Sequence, residues 1–267
     1  MSFGDITSAT VVGYNQVQLR SYAAKNGKCM VGACFIKVGT EQDVKLSELK
    51  ITGYENSAEY LGQMGFSISF QRRADNGMPF ATYIYTDSSD DCATWNGGWW
   101  EDLAGNVINA DNDVTLTAGD GLWFDTPALA DCSAFYLQTS GQVLNGDQAF
   151  ELTAGIKQGV CNMLPTSTSI SKIEIHGYED SSEYLGQMGF CLTMQSLGDN
   201  GMPLVTYIYT DSSDDCATWN GGWWEDNSGN VIDSDNDVVV GAGEGFWVDA
   251  PALEDCALFT MVFPGCL

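Results

Sequence analysis

The chain repeats itself at an offset of 124 residues, and that constrains its fold more than any other feature. Thr82–Asp102, reading TYIYTDSSDDCATWNGGWWED, recurs without change at Thr206–Asp226. Upstream, Glu59–Phe66 (EYLGQMGF) recurs at Glu183–Phe190, and Asp75–Pro79 (DNGMP) at Asp199–Pro203. Downstream, AGDGLWFDTPALADC (Ala118–Cys132) matches AGEGFWVDAPALEDC (Ala242–Cys256). The beginnings align more loosely, with Cys34 placed against Cys161 and both leading to a Gly-Tyr-Glu at Gly53 and Gly177. The alignment gives two homologous units, 1–137 and 138–267, each long enough to hold its own core.

Within each unit apolar residues recur with period 2. Phe66-Ser-Ile-Ser-Phe70, Thr82-Tyr-Ile-Tyr-Thr86 and Val114-Thr-Leu-Thr117 alternate, and Phe190–Met194, Val238–Val240 and Leu258–Phe263 follow suit. Clusters such as Asp75-Asn-Gly77, Asn96-Gly-Gly98 and Ala104-Gly-Asn106 punctuate them as turns. Stretches of helical period are scarce; Val44–Lys50 and Glu55–Met64 could each form one short turn. The expected fold is all-β, with two tandem β-sandwich or open-barrel domains. A 44% hydrophobic and 12% aromatic content supplies the cores.

Lysine and arginine number 10 against 36 acidic residues, for a net charge of −26. Such a surface repels phosphate backbones, which excludes sequence-independent nucleic-acid binding. Apolar runs are too short for a membrane span. The imbalance is uneven: residues 1–73 hold eight basic and six acidic side chains, and residues 74–267 hold two basic (Lys157, Lys172) and thirty acidic. Unlike ends of this kind favour head-to-tail contact between copies, and the acidity also favours solubility. The opening Met1-Ser-Phe-Gly-Asp has no basic n-region or apolar h-region, as expected for a chain lacking a leader or for a mature chain. Nine cysteines favour an oxidising compartment, hence secretion.

Several segments resemble those of secreted bacterial proteins with tandem β units. They are Tyr83 through Trp99-Trp-Glu-Asp102, Val114-Thr-Leu, and Ala118-Gly-Asp-Gly-Leu-Trp-Phe124, with Gly243-Glu-Gly-Phe-Trp247 in the second unit. Such units end in a Gly-Glu-Gly-Phe-Trp strand, and Ile6–Tyr14 is similar to the first mature residues of those proteins. The resemblance implies secretion and a β fold and carries no active site.

Cys92 and Cys132 are matched by Cys216 and Cys256 at the same spacing, so Cys92–Cys132 and Cys216–Cys256 are the expected bridges. Each would contribute about 3–4 kcal/mol through the unfolded state. Cys29, Cys34, Cys161, Cys191 and Cys266 remain, and an odd total leaves at least one thiol free or bonded to another chain. The single histidine, His176, aligns with Thr52, and no Cys-x-x-Cys, Gly-x-Ser-x-Gly, phosphate loop or His-Glu-x-x-His occurs. No catalytic residue is assigned, and a non-enzymatic role is expected.

Each unit carries four tryptophans: Trp95, Trp99, Trp100 and Trp123, then Trp219, Trp223, Trp224 and Trp247. Adjacent residues of a strand face opposite ways, so one of each Trp-Trp pair should enter the core and the other look outward. Trp95, Trp99, Trp100 and their counterparts Trp219, Trp223 and Trp224 are thus candidates for glycan stacking or a protein interface. Acidic loops recur at Asp87, Asp90 and Asp91 with Asp211, Asp214 and Asp215, and at Asp111 and Asp113 with Asp235 and Asp237. Oxygen-rich loops suit Ca²⁺, although neither fits an EF-hand, and Asp and Asn also cap turns unaided. Together these features suggest a self-assembling extracellular subunit, a fibre or surface layer, with tandem carbohydrate-binding modules as the alternative.

Overall fold

The computed structural model describes residues 12–19, 27–32, 35–36, 44–55, 57, 66–71, 79–87, 98–129, 131, 135–144, 146–183, 189–195, 204–211 and 221–265. The fold is all-β: the helical pieces among the described residues are two 3-10 turns, Leu46–Glu48 and Ile170–Lys172. The first of these falls within the helical turn anticipated over Val44–Lys50.

The first repeat contains β1 (Val12–Leu19), β2 (Gly27–Gly32), β3 (Phe35–Ile36), β4 (Val44–Lys45), β5 (Lys50–Thr52) and β6 (Phe66–Gln71). It continues with β7 (Phe80–Asp87), β8 (Gly98–Asp102), β9 (Thr115–Leu116), β10 (Gly121–Thr126) and β11 (Phe135–Val143). The second contains β12 (Gln148–Thr153), β13 (Lys157–Cys161), β14 (Thr168–Ser169), β15 (Glu174–His176) and β16 (Phe190–Gln195). It ends with β17 (Leu204–Asp211), β18 (Gly222–Asp226), β19 (Val239–Val240), β20 (Gly245–Asp249) and β21 (Leu258–Phe263). β11 runs across position 137, and the first ladder of the second repeat starts at Gln148.

Both repeats are built to one plan. A five-stranded antiparallel sheet, β2-β10-β6-β7-β8 or β13-β20-β16-β17-β18, faces a smaller one. The smaller sheet centres on β11, flanked by β1 on one side and β3 and β5 on the other, or on β21 between β12 and β15. The alternation of β6 explains the layering: Phe66, Ile68 and Phe70 are buried, and Ser67, Ser69 and Gln71 on the other face are half-buried. Across the layers Phe66 meets Phe135 edge-on with centroids 4.7 Å apart, and Phe190 meets Phe259 at the same distance. Two clusters of buried side chains result, and Ala118 of the first repeat packs against the second.

The outer faces of the five-stranded sheets meet each other. Val31 bridges to Glu244 and Val160 to Asp120; Gly32 N–H donates to Gly243 O (3.0 Å) and Cys161 N–H to Gly119 O (2.9 Å). Each pair is the other's counterpart, so the contact is isologous, a two-fold built inside one chain. The approach is close enough that backbone packs on backbone. A Cβ on Gly121 would lie 2.6 Å from Gly159 C and Val160 N. Trp123 and Trp247, with centroids 6.2 Å apart, and Phe80, 5.8 Å from Trp247, close the apolar part of this seam.

The register revises one equivalence. Cys161 lies opposite Gly245 as Gly32 lies opposite Gly121, so Cys161 corresponds to Gly32 rather than to Cys34. Loose similarity around short strands hides a shift of two residues.

Gly121→Val should therefore destabilise the chain by about 1–3 kcal/mol through overpacking, read as a lower urea midpoint. Gly241→Ala, whose new Cβ would meet nothing nearer than 3.4 Å, should change it by about 0.5 kcal/mol or less.

Candidate functional site

The tryptophan pairs divide as strand alternation requires. Trp100 and Trp224 are buried, and their indole N–H groups donate to Leu49 O (3.1 Å) and Ile173 O (2.8 Å). Tyr85 and Tyr209 pack against them with centroids 5.0 Å apart. Trp100 and Trp224 are therefore core residues and no part of a ligand platform. Trp99 and Trp223 lie on the opposite face, half-buried, each donating to a carboxylate on the same face: Glu101 at 2.6 Å and Glu225 at 2.7 Å. Trp95 and Trp219 fall outside the described residues. Trp123 and Trp247 join the repeats, a role that sequence alone did not distinguish.

The acidic loops resolve into turn chemistry wherever they are described. Asp113 accepts from the Ser47 N–H (3.2 Å) and hydroxyl and from Val114 N–H (2.8 Å), fastening the first 3-10 turn to the strand beyond it. Asp237 does the same with Ser171 and Val238. Asp111 and Asp235 offer their backbone N–H groups to Asn109 and Asp233, both at 2.9 Å. Asp111 and Asp113 thus serve different turns, as do Asp235 and Asp237, because short Asx turns satisfy their backbone locally. Among the described residues no three His, Cys, Asp or Glu side chains gather as metal ligands. Asp90, Asp91, Asp214 and Asp215, and the side chains of Asp87 and Asp211, lie outside the described residues.

Asp102, a candidate flanking group for glycan stacking beside Trp99 and Trp100, and its counterpart Asp226 instead organise the hairpin tips. Asp102 accepts from Ala104 N–H (2.9 Å), Asn106 N–H and the Asn106 amide (both 2.8 Å), and Asp226 accepts from Ser228 and Asn230 in the same way. The Asn106 and Asn230 side chains hold these carboxyls below the usual range, with backbone N–H groups adding to the effect. Gly105 at φ 82° and Gly229 at φ 79° complete the turns. Asn106 O accepts from Asp102 N–H and Ile108 N–H donates to Trp100 O, which covers the outer edge of β8. For Asp237, partial burial pushes its carboxyl upward, but the Ser171 hydrogen bonds outweigh that and hold it low.

Cys256 is a free thiol donating to Gly177 O at 2.7 Å, and Cys216, its expected bridge partner, falls outside the described residues. Burial pushes the Cys256 thiol pKa up. Cys92, Cys132 and Cys216 lie outside the described residues, as do Cys34 and Cys266. Cys191 is also a free thiol, pushed up by burial and by Asp249. Cys29 and Cys161 are buried. His176 sits between Glu179 (3.0 Å to Nδ1) and Glu174 (2.9 Å to Nε2) on β15.

The remaining candidate is an edge. β1 pairs with β11 over eight residue pairs, from Val12↔Gln142 to Leu19↔Phe135, and among the described strands it has no partner on its other side. Neither β1 (VGYNQVQL) nor β11 (FYLQTSGQV) contains a charged residue or a proline. In a chain of net charge −26 this is a neutral seam, and it lacks the charges, prolines and short length that ordinarily guard an edge strand.

Trp224→Ala should cost about 3–5 kcal/mol of stability, the range for emptying a buried tryptophan site. Trp223→Ala should change stability by about 1 kcal/mol or less, and paired urea titrations separate the two. The pH dependence has a definite sign. A carboxyl lower in the folded state contributes stability above its unfolded value of about 3.9 and loses it as pH falls through the folded value. The Asn106 and Asn230 side-chain amide resonances should thus hold their positions down to about pH 4 and move only below it.

No protein-family model and no curated protein matches the chain. Among solved structures it is similar to the major capsid protein P2 of bacteriophage PM2, with a TM-score of 0.21 and 10% identity. That alignment covers 96% of this chain and 98% of the other, and a TM-score of this size does not establish a shared fold. Among the described residues no helix is long and apolar enough to cross a membrane.

Proposed function

We propose that the chain is a secreted, non-enzymatic structural protein whose copies assemble into an extracellular fibre or surface layer. The observation that carries this reading is the neutral edge of β1. An eight-residue strand that among the described residues is paired on one side offers a row of backbone donors and acceptors to another strand. The rest of the molecule discourages association: thirty acidic side chains in residues 74–267 repel like surfaces within a Debye length of about 8 Å. A seam without charge is where two copies meet without that penalty. The isologous contact between the repeats supports the reading from the other side, because it is closed within the chain and leaves association to other surfaces.

A second reading rests on Trp99 and Trp223. A carboxylate bonded to each indole N–H fixes an aromatic surface beside a hydrogen-bonding group, twice per chain, which suits paired glycan sites.

Electron microscopy of the purified, non-reduced chain, with Ca²⁺ and then with chelator, tests the assembly reading. Ordered filaments or sheets are expected, and their loss on chelation would give the acidic loops a role in holding cations. Particles that stay dispersed at high concentration under every condition would contradict assembly. If those particles were retained on insoluble polysaccharide and released by Trp99→Ala with Trp223→Ala, the glycan reading would replace it.

A further inference from the structure

We propose that the joint is made by strand exchange: β1 leaves its own β11 and occupies the β11 of the next copy in the same register. This rests on the assembly reading and names the segment and slot that perform it. The occupant is a second copy of this chain, because every contact β1 makes at home is reproduced when it lies on another copy's β11.

The two repeats differ at this position in a way that favours release of β1. Register places Val17 and Leu19 of β1 where the second repeat has Phe150 and Leu152 of β12. Phe150 is buried, whereas Val17 is only half-buried. Below the strand the slot is weaker too. The Thr139 hydroxyl of β11 is buried and has no hydrogen-bond partner among the described residues, whereas its counterpart Phe263 is packed in the core. The eight-pair backbone ladder that holds β1 does not discriminate between copies.

Connectivity separates the strands in the same sense. β12 follows β11 after four residues, so the second repeat's edge strand is tied between two sheets. Among the described residues no strand precedes β1, and residues 20–26 separate it from β2. Among the described strands, each chain then has one exchangeable strand and one slot. When each copy gives its strand to the next rather than exchanging strands reciprocally with one partner, the joint is heterologous and propagates as a directional filament unless its rotation closes a ring. Charge agrees with this geometry. The donor and the slot are neutral.

The test locks the strand at home. Gln16 and Gln138 are partners on the outer face of the β1–β11 ladder, within reach of a disulfide if both become cysteine. Monomeric Gln16→Cys/Gln138→Cys chain is oxidised, the 16–138 bond is verified by peptide mapping, and assembly is followed by light scattering and microscopy beside both single variants. Exchange predicts that the locked chain does not assemble, that the single variants do, and that reduction restores assembly to the double variant. It also predicts an interchain 16–138 disulfide in assemblies grown from mixed single variants. If the locked chain assembles like the single variants, exchange is overturned while self-assembly stands. If the unmodified and single-variant chains do not assemble, the assembly reading fails and exchange with it.

Discussion

Backbone meets backbone where Gly121 of β10 crosses Gly159 of β13, and much of the molecule's organisation follows from that contact. Only residues without side chains permit the outer faces of two β-sheets to approach so closely. The approach aligns the paired bridges Val31–Glu244 and Val160–Asp120, and it lets Trp123 and Trp247 close over the remaining gap. The repeats thereby bury part of the sheet face that each would otherwise expose. Symmetry matters here as much as area, because an isologous contact is complete once made and cannot recruit a third partner.

Charge then decides what remains available. Acidic side chains crowd the turns and hairpin tips, where several fasten backbone: Asp113 to the first 3-10 turn, Asp102 and Asp226 to their own hairpins. The Asn106 and Asn230 side chains hold the Asp102 and Asp226 carboxyls low, so these hairpin tips carry negative charge at neutral pH. In the five-stranded sheets the returning hairpin covers the edge of β8, and β2 makes a single bridge to Glu244. In the smaller sheet of the first repeat, β1 and β11 form a neutral stretch with an unpaired side. Fold, symmetry and electrostatics converge on that strand.

The sequence made the strands legible because period-2 alternation and Gly-Asn turns report directly on which face is buried. Trp99-Trp100 is the clearest case: two adjacent tryptophans in a strand must part, and Trp100 enters the core while Trp99 stays outside. Tertiary roles were less legible. Nothing local separates Trp123, which meets the other repeat, from a tryptophan that packs within its own. The relation between β1 and β12 was hidden because VGYNQVQL and QAFELT share a backbone position but few side chains. The mismatch of Cys34 with Cys161 arose similarly, from short strands whose equivalence lies in pairing to Gly121 and Gly245. Closely spaced aspartates suggested a cation loop, yet Asp111 and Asp113 point their bonding into separate turns, a distinction set by backbone geometry that composition does not encode.

The central claim is that copies join through the β1–β11 ladder. Solid-state NMR on assemblies grown from a mixture of 15N-labelled and 13C-labelled chains tests it most directly, because only contacts between chains give nitrogen–carbon transfer. The account predicts interchain contacts that pair residues 12–19 with 135–143, with Leu19 opposite Phe135 and Val12 opposite Gln142. Interchain contacts confined to the acidic hairpins or to the β7–β8 face, with none between those two segments, would contradict it.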